Sequence, residues 1–140
     1  MKITKDLKMV IVLDQSLPVG LLCNTAAVLS LSLGKKIEGL IDKDLLDGSG
    51  TMHRGLTNTP LPILKSTKEE IRQIKQKAQT QEEELFIVDV TDAAQTTKNY
   101  IDYEEKLKNN REETLIYLGV ALAGPAKRIS SLTGNLGLLR

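Results

Sequence analysis

The chain has 140 residues, 41% apolar and 26% charged, enough for one contiguous core in a single domain spanning residues 1–140. Its 19 basic and 18 acidic residues leave a net charge of +1, which gives no global drive toward nucleic acid as a partner. Phe86, Tyr100, Tyr103 and Tyr117 are the only aromatic residues, so a site that stacks several bases is not expected and the core must come from Leu, Ile, Val and Ala.

The basic start is followed by only a short apolar run before Asp14, too short for the apolar region of a signal peptide. Residues 8–14, KMVIVLD, instead read as a strand covered on both faces. Pro18 suits the first turn of a helix running to Leu33, with Gly34 as its stop and Lys35 and Lys36 beside its negative end. A helical wheel sets Leu22, Ala26, Leu29 and Leu33 on one face and Asn24, Ala27, Val28 and Leu31 on the other. A helix without charge on either face is expected to bury both, one on the sheet and one on a partner subunit, which predicts a homodimer. Gln15, Pro18, Gly20, Asn24 and three serines make the uncharged window from Gln15 to Gly34 too polar for a membrane span. A cytoplasmic protein with no membrane partner is the expectation.

Asp47-Gly48 marks a tight turn that Leu40–Ile41 and Thr51–Met52 flank as a small hairpin. Leu61–Lys65 reads as a second main strand, held to a sheet edge or a strand start by Pro60 and Pro62. Ser66 and Thr67, each three residues before Glu69 and Glu70, form capping-box pairs that open a helix. Ile71, Ile74 and Ala78 make its core stripe, with Arg72, Lys75 and Lys77 facing solvent. Leu85–Val90 is a third strand, Thr91–Lys98 a polar loop, and a charged helix follows to Asn110. Thr114–Ala123 is an uncharged, central fourth strand, and Gly124-Pro125 opens a last helix that stops at Gly134. The alternation of strand and helix implies an α/β domain of three layers, α/β/α.

Candidate chemistry gathers at few places. Cys23, the only cysteine, excludes an internal disulfide; it lies near a helix N-terminus, yet a small packing residue is the expectation. Asn24 is a lone amide on an uncharged helix and must find partners, so it is expected to face a ligand at a strand-end crevice. His53 is the only histidine and a candidate general acid or base, with Arg54 next to it to hold an anion. Asp89, Thr91, Asp92, Thr96 and Thr97 supply acceptors and hydroxyls of the kind that line a strand-end crevice. Asp42, Asp44 and Asp47 depart from calcium-loop spacing, so no metal and no cofactor is expected.

The ending TLIYLGVALAGPAKRISSLTGNLGLL resembles that of the type II peptidyl-tRNA hydrolases at Gly124, Pro125, Thr133, Gly134, Leu136, Leu138 and Leu139. Leu17 and Gly20 match that family's opening. The segments LPVGLLCNTAAVL and DGSGTMHRGLTNTPLPIL, with the loop after the third strand, are similar to a bacterial family of unknown function that shares the type II hydrolase fold. The resemblance implies a four-stranded mixed sheet between helices, with one strand antiparallel, and Asp92, Thr96 and Thr97 loosely match the hydrolases' acidic residue and threonines. It also exposes a departure. Gly20, Leu21, Leu22, Cys23, Ala27 and Ser30 stand where the hydrolases carry two lysines, a glutamine and a histidine. Ordinary peptidyl-tRNA hydrolysis is therefore not expected. The leading expectation is a protein that binds a small-molecule or nucleotide-like ligand near Asn24, His53 and residues 91–97. The alternatives are an ester or amide hydrolase using His53 and Asp92, and a non-catalytic dimeric module.

Overall fold

The computed structural model describes residues 1–81 and 83–140. In chain order it contains β1 (Leu7–Asp14), α1 (Val19–Lys36), β2 (Leu45–Leu46), β3 (Met52–His53), β4 (Ile63–Ser66) and α2 (Lys68–Gln79). There follow β5 (Phe86–Thr91), α3 (Asp92–Gln95), α4 (Tyr100–Lys108), β6 (Tyr117–Pro125) and α5 (Ala126–Thr133). Four strands form one sheet in the order β4-β1-β6-β5. β1 runs parallel to β4, and β6 runs antiparallel to both β1 and β5, so one strand opposes the other three. The sheet is thus the mixed, four-stranded one that the sequence implied, with the uncharged β6 in its interior.

Strand alternation divides the core between the two faces of the sheet. Met9, Ile11 and Leu13 of β1, with Ala121 and Ala123 of β6, pack against Leu29 and Leu33 of α1. Val10, Val12, Val120 and Leu122 point the other way, onto Ile71, Ile74 and Ala78 of α2 and Ile129 of α5. The capping pair before α2 is present: the Thr67 side chain accepts from the Glu70 N–H, and Ser66 Oγ donates to Glu70 Oε2 at 2.8 Å. α1 lies unusually close to β6. A Cβ on Gly119 would fall 2.7 Å from Leu13 Cδ2 and 2.9 Å from Thr25 Cγ2, so this approach requires glycine.

Several boundaries move, each for a physical reason. α1 passes through Gly34, because the buried Ile37 must reach the core and its N–H caps the helix on Leu33 O at 2.9 Å. The left-handed residue that ends the excursion is Gly39, at φ +80°. The hairpin pairs Leu45 with His53 and Leu46 with Met52, leaving Ile41 to bridge Thr57. Residues 91–98 are not all loop, since Thr91 caps the short α3 by accepting from Ala93 N–H. Lys75 and Arg72 do not simply face solvent: Lys75 forms a 2.7 Å ion pair with Asp89, and Arg72 lies over the Tyr117 ring. Cys23 is exposed rather than packed.

Candidate functional site

β5 is the last strand of the sheet order, and a crevice of about 470 Å³ opens along it between α1 and α4. One turn-spaced row of α1, Asn24, Val28 and Ser32, forms one wall. Val88, Asp89 and Val90 of β5 contribute the floor, and Thr97, Lys98, Asn99, Tyr100 and Tyr103 the opposite wall. That wall is held by local bonds. Asn99 caps α4 by accepting from Asp102 N–H at 2.8 Å, and the Tyr100 and Tyr103 rings meet edge to face at 5.6 Å.

The turn beneath the crevice is tied to β6. Asp92 Oδ1 accepts from Ile116 N–H at 3.0 Å, and Asp92 N–H donates to Ile116 O at 3.0 Å. Thr97 Oγ1 donates to Ala93 O at 2.9 Å, and Thr96 Oγ1 to Asp92 O at 2.7 Å while also accepting from Lys106. Thr91 is fully buried in its capping role. Of these residues only Thr97 lines the crevice; Thr91, Asp92 and Thr96 build the turn that presents it.

Behind the crevice lies a charged network. Lys75 Nζ sits 2.7 Å from Asp89 Oδ2 and donates to Tyr117 Oη at 3.2 Å. Tyr117 Oη donates to Glu112 Oε1 at 2.9 Å, and Arg72 Nη1 donates to the same oxygen at 2.7 Å. The Arg72 and Lys75 cationic groups each lie 5.0 Å from the Tyr117 ring centroid. Burial works against the Lys75 ammonium, but Asp89 and then Tyr117 outweigh it and hold its pKa above the ordinary 10.5. Burial, and then the Asp89 carboxylate, raise Tyr103 above 10.0. Burial raises Tyr117 as well, with Lys75 opposing and Glu112 adding. Near neutral pH these shifts keep the Lys75 ammonium charged and the Tyr103 and Tyr117 phenols neutral.

His53 and Arg54 stand elsewhere, on the β2–β3 hairpin and off the crevice lining. His53 Nε2 lies 2.8 Å from Asp47 Oδ2 and Arg54 Nη1 2.7 Å from Asp44 Oδ2, with the two side chains 62% and 86% exposed. Asp47 Oδ1 also accepts from Ser49 N–H and Thr51 N–H at 2.8 and 3.0 Å, which closes the turn. The His53 contact above all, then these backbone donors, lowers the Asp47 pKa below 3.8. A depressed carboxylate contributes stability above its unfolded pKa and loses it as pH falls through the folded one. The Ser49 and Thr51 amide resonances should therefore shift with a midpoint below 3.8, and Asp47→Asn should abolish that transition. A midpoint at or above 3.8 would show that the turn does not depend on the ionised carboxylate.

The structure thus brings Asn24 and Thr97 together and leaves His53 and Arg54 apart from them. Asn24 is exposed, so burial does not dictate its role. Sequence reasoning missed Lys75, Tyr103 and Asn99. One signal was available: Asp89 is a charge inside the apolar run LFIVDV, and a charge there demands a partner. Among the described residues no group of three or more His, Cys, Asp or Glu side chains is placed to hold a metal ion, and no helix is long and apolar enough to cross a membrane.

Residues 7–140 match the DUF2000 family, described as a protein of unknown function, and the chain belongs to that family. A solved structure with a similar fold is that of the protein of unknown function Atu0240 from Agrobacterium tumefaciens strain C58. The TM-score is 0.86 at 19% sequence identity, over 96% of this chain and 98% of that one. At that identity the likeness speaks to the fold alone. No curated protein matches the chain.

Proposed function

We propose that this DUF2000 chain has a three-layer fold like that of peptidyl-tRNA hydrolase II and serves as a binding protein. Its crevice takes a compact group of about nucleoside size, either a whole small or nucleotide-like ligand or one part of a longer one. The observation that carries this reading is the convergence of Asn24, Thr97, Lys98 and Tyr103 on one concavity with apolar walls. Its volume of about 470 Å³ lies in the usual range for small-ligand sites. Adenosine 5′-monophosphate is the first probe, because a base would lie against the tyrosines and a phosphate beside Lys98. Titration should shift the amide resonances of Asn24, Thr97 and Tyr103. Asn24→Ala should weaken binding about tenfold, the order expected for one hydrogen bond, and His53→Ala should leave it unchanged. Loss of binding on His53→Ala would favour the hydrolase alternative. A deacylation assay with peptidyl-tRNA is expected to show no turnover, and turnover at catalytic enzyme concentrations would contradict the binding-protein reading.

A second reading concerns assembly and can hold alongside the first. Val19, Cys23, Ala27 and Leu31 follow one another at steps of four along α1 and are all exposed, Val19 at 76% and Leu31 at 75%. This stripe without charge is a self-complementary surface for a second copy, α1 against α1′. Leu31→Glu should then convert a dimer into a monomer in sedimentation velocity. A wild-type chain that sediments as a monomer at 100 μM would remove the reading.

A further inference from the structure

The two edges of the sheet are treated differently. At the β4 edge the C-terminal segment adds on: Lys65 N–H donates to Gly137 O and Leu139 N–H to Ile63 O, both at 2.9 Å. At the other edge β5 pairs only with β6. In an antiparallel ladder alternate residues turn their N–H and C=O away from the partner strand. Among the described residues, no group hydrogen-bonds to those outward-facing backbone groups between Phe86 and Val90. The edge also lacks the usual protection, with no Pro and no Lys within β5, and its one charge, Asp89, is tied to Lys75.

Separate concavities lie beside this strand. The crevice lies over Val88–Val90, and two further hollows of about 500 and 650 Å³ adjoin Phe86 beside Lys36. α1 lines them with Asn24, Val28, Ser32 and Lys36, at steps of four on one helix face. A free strand edge flanked by a helix, about 20 Å long for a six-residue strand, suits strand addition. There the peptide backbone bonds to the sheet and alternate side chains fall against the helix. The charges add a direction. Lys98 is the cation on the crevice lining and forms no ion pair among the described residues, whereas Asp89 is neutralised by Lys75. At the Phe86 end Lys35 and Lys36 are balanced by Glu38 and Glu83.

We infer that the ligand is an extended peptide that adds a strand to the free edge of β5. It sets one large apolar side chain in the crevice between Val28 and Tyr103 and an acidic residue beside Lys98. The inference rests on the crevice being the binding site, and it names a peptide where the size of the crevice alone admits a nucleotide. A thin extended chain enters between α1 and α4, whereas the edge of a second sheet would meet those flanking helices.

The test pans the immobilised full chain against a phage-displayed random seven-residue library, with adenosine 5′-monophosphate titrated in parallel. Enriched peptides, made synthetically, should protect alternate amides between Phe86 and Val90 from hydrogen exchange. Methylating the backbone nitrogens that face β5 should weaken them at least tenfold. Lys98→Glu should reverse their preference for an acidic residue. If the library yields no binder, or binders that leave those amides unprotected, the inference fails. Should the nucleotide still shift Asn24 and Tyr103, the crevice remains the binding site and only the peptide assignment falls; if neither probe acts there, both fall. Protection that rises with protein concentration without any peptide would place a second copy on the edge and overturn the assignment.

Discussion

Leu29→Ala is expected to destabilise the protein by about 2–5 kcal/mol, the range for deleting a fully buried leucine side chain from a packed core. Leu29 is 0% exposed at the middle of α1 and belongs to the cluster of Met9, Ile11, Leu13 and Ala121. Two features place the cost at this residue. α1 begins on Pro18 without a side-chain cap, so local capping contributes little to holding it. Its outward row, Val19, Cys23, Ala27 and Leu31, is exposed, so the inward row supplies most of the attachment. The same helix carries Asn24, Val28 and Ser32 into the crevice, and its loosening should blur that wall as well. Urea unfolding monitored by circular dichroism measures the change. A loss below 1 kcal/mol would show that α1 is not held by this contact.

Gly119→Ala should cost about 1–3 kcal/mol through overpacking and should move the helix. The added Cβ would lie 2.7 Å from Leu13 Cδ2, 2.9 Å from Thr25 Cγ2 and 3.1 Å from Val12 O. The leucine methyl can turn aside, but Val12 O belongs to the β1–β6 ladder and Thr25 is buried against the sheet. Relief is therefore expected by displacement of α1 outward from Thr25, which lines the crevice together with Leu118. Gly34→Ala is the matched control, because its Cβ would meet nothing within 4 Å and the residue lies inside the helix. There alanine should stabilise by about 0.5–1 kcal/mol. Destabilisation at Gly119 with stabilisation at Gly34 would separate packing from backbone entropy. A neutral Gly119→Ala would mean that α1 does not press on β6 as described.

The apolar strands and the amphipathic α2 were legible in the sequence because their periods leave one assignment. KMVIVLD and the uncharged stretch ending in GVALA are runs whose burial follows from composition, and Ile71, Ile74 and Ala78 lie on one helix face. LFIVDV reads as a buried strand as well, but Phe86–Asp89 are only half-buried because β5 stands at the sheet edge. α1 was legible as a helix but not in orientation. Its lack of charge says nothing about which side the sheet covers, and Cys23 turned out on the uncovered side. The long-range ties were the least visible. Lys75 to Asp89 and Tyr117 spans three separate elements, so no local pattern announces it. Of the candidate residues, Asn24 and Thr97 line one crevice, while His53 and Arg54 are absorbed by Asp47 and Asp44 of their own hairpin. That hairpin is built from residues close in sequence, and proximity along the chain to a loop rich in polar groups is no measure of proximity to the crevice.

The most direct test of the binding-site reading is a crystallographic fragment screen on the full chain, using compact planar heterocycles and short capped peptides in the same campaign. The account predicts that bound fragments concentrate in the concavity bounded by Asn24, Val90, Thr97 and Tyr103 and along the free edge of β5. Fragments gathered instead around His53 and Arg54, with that concavity empty across the screen, would contradict it.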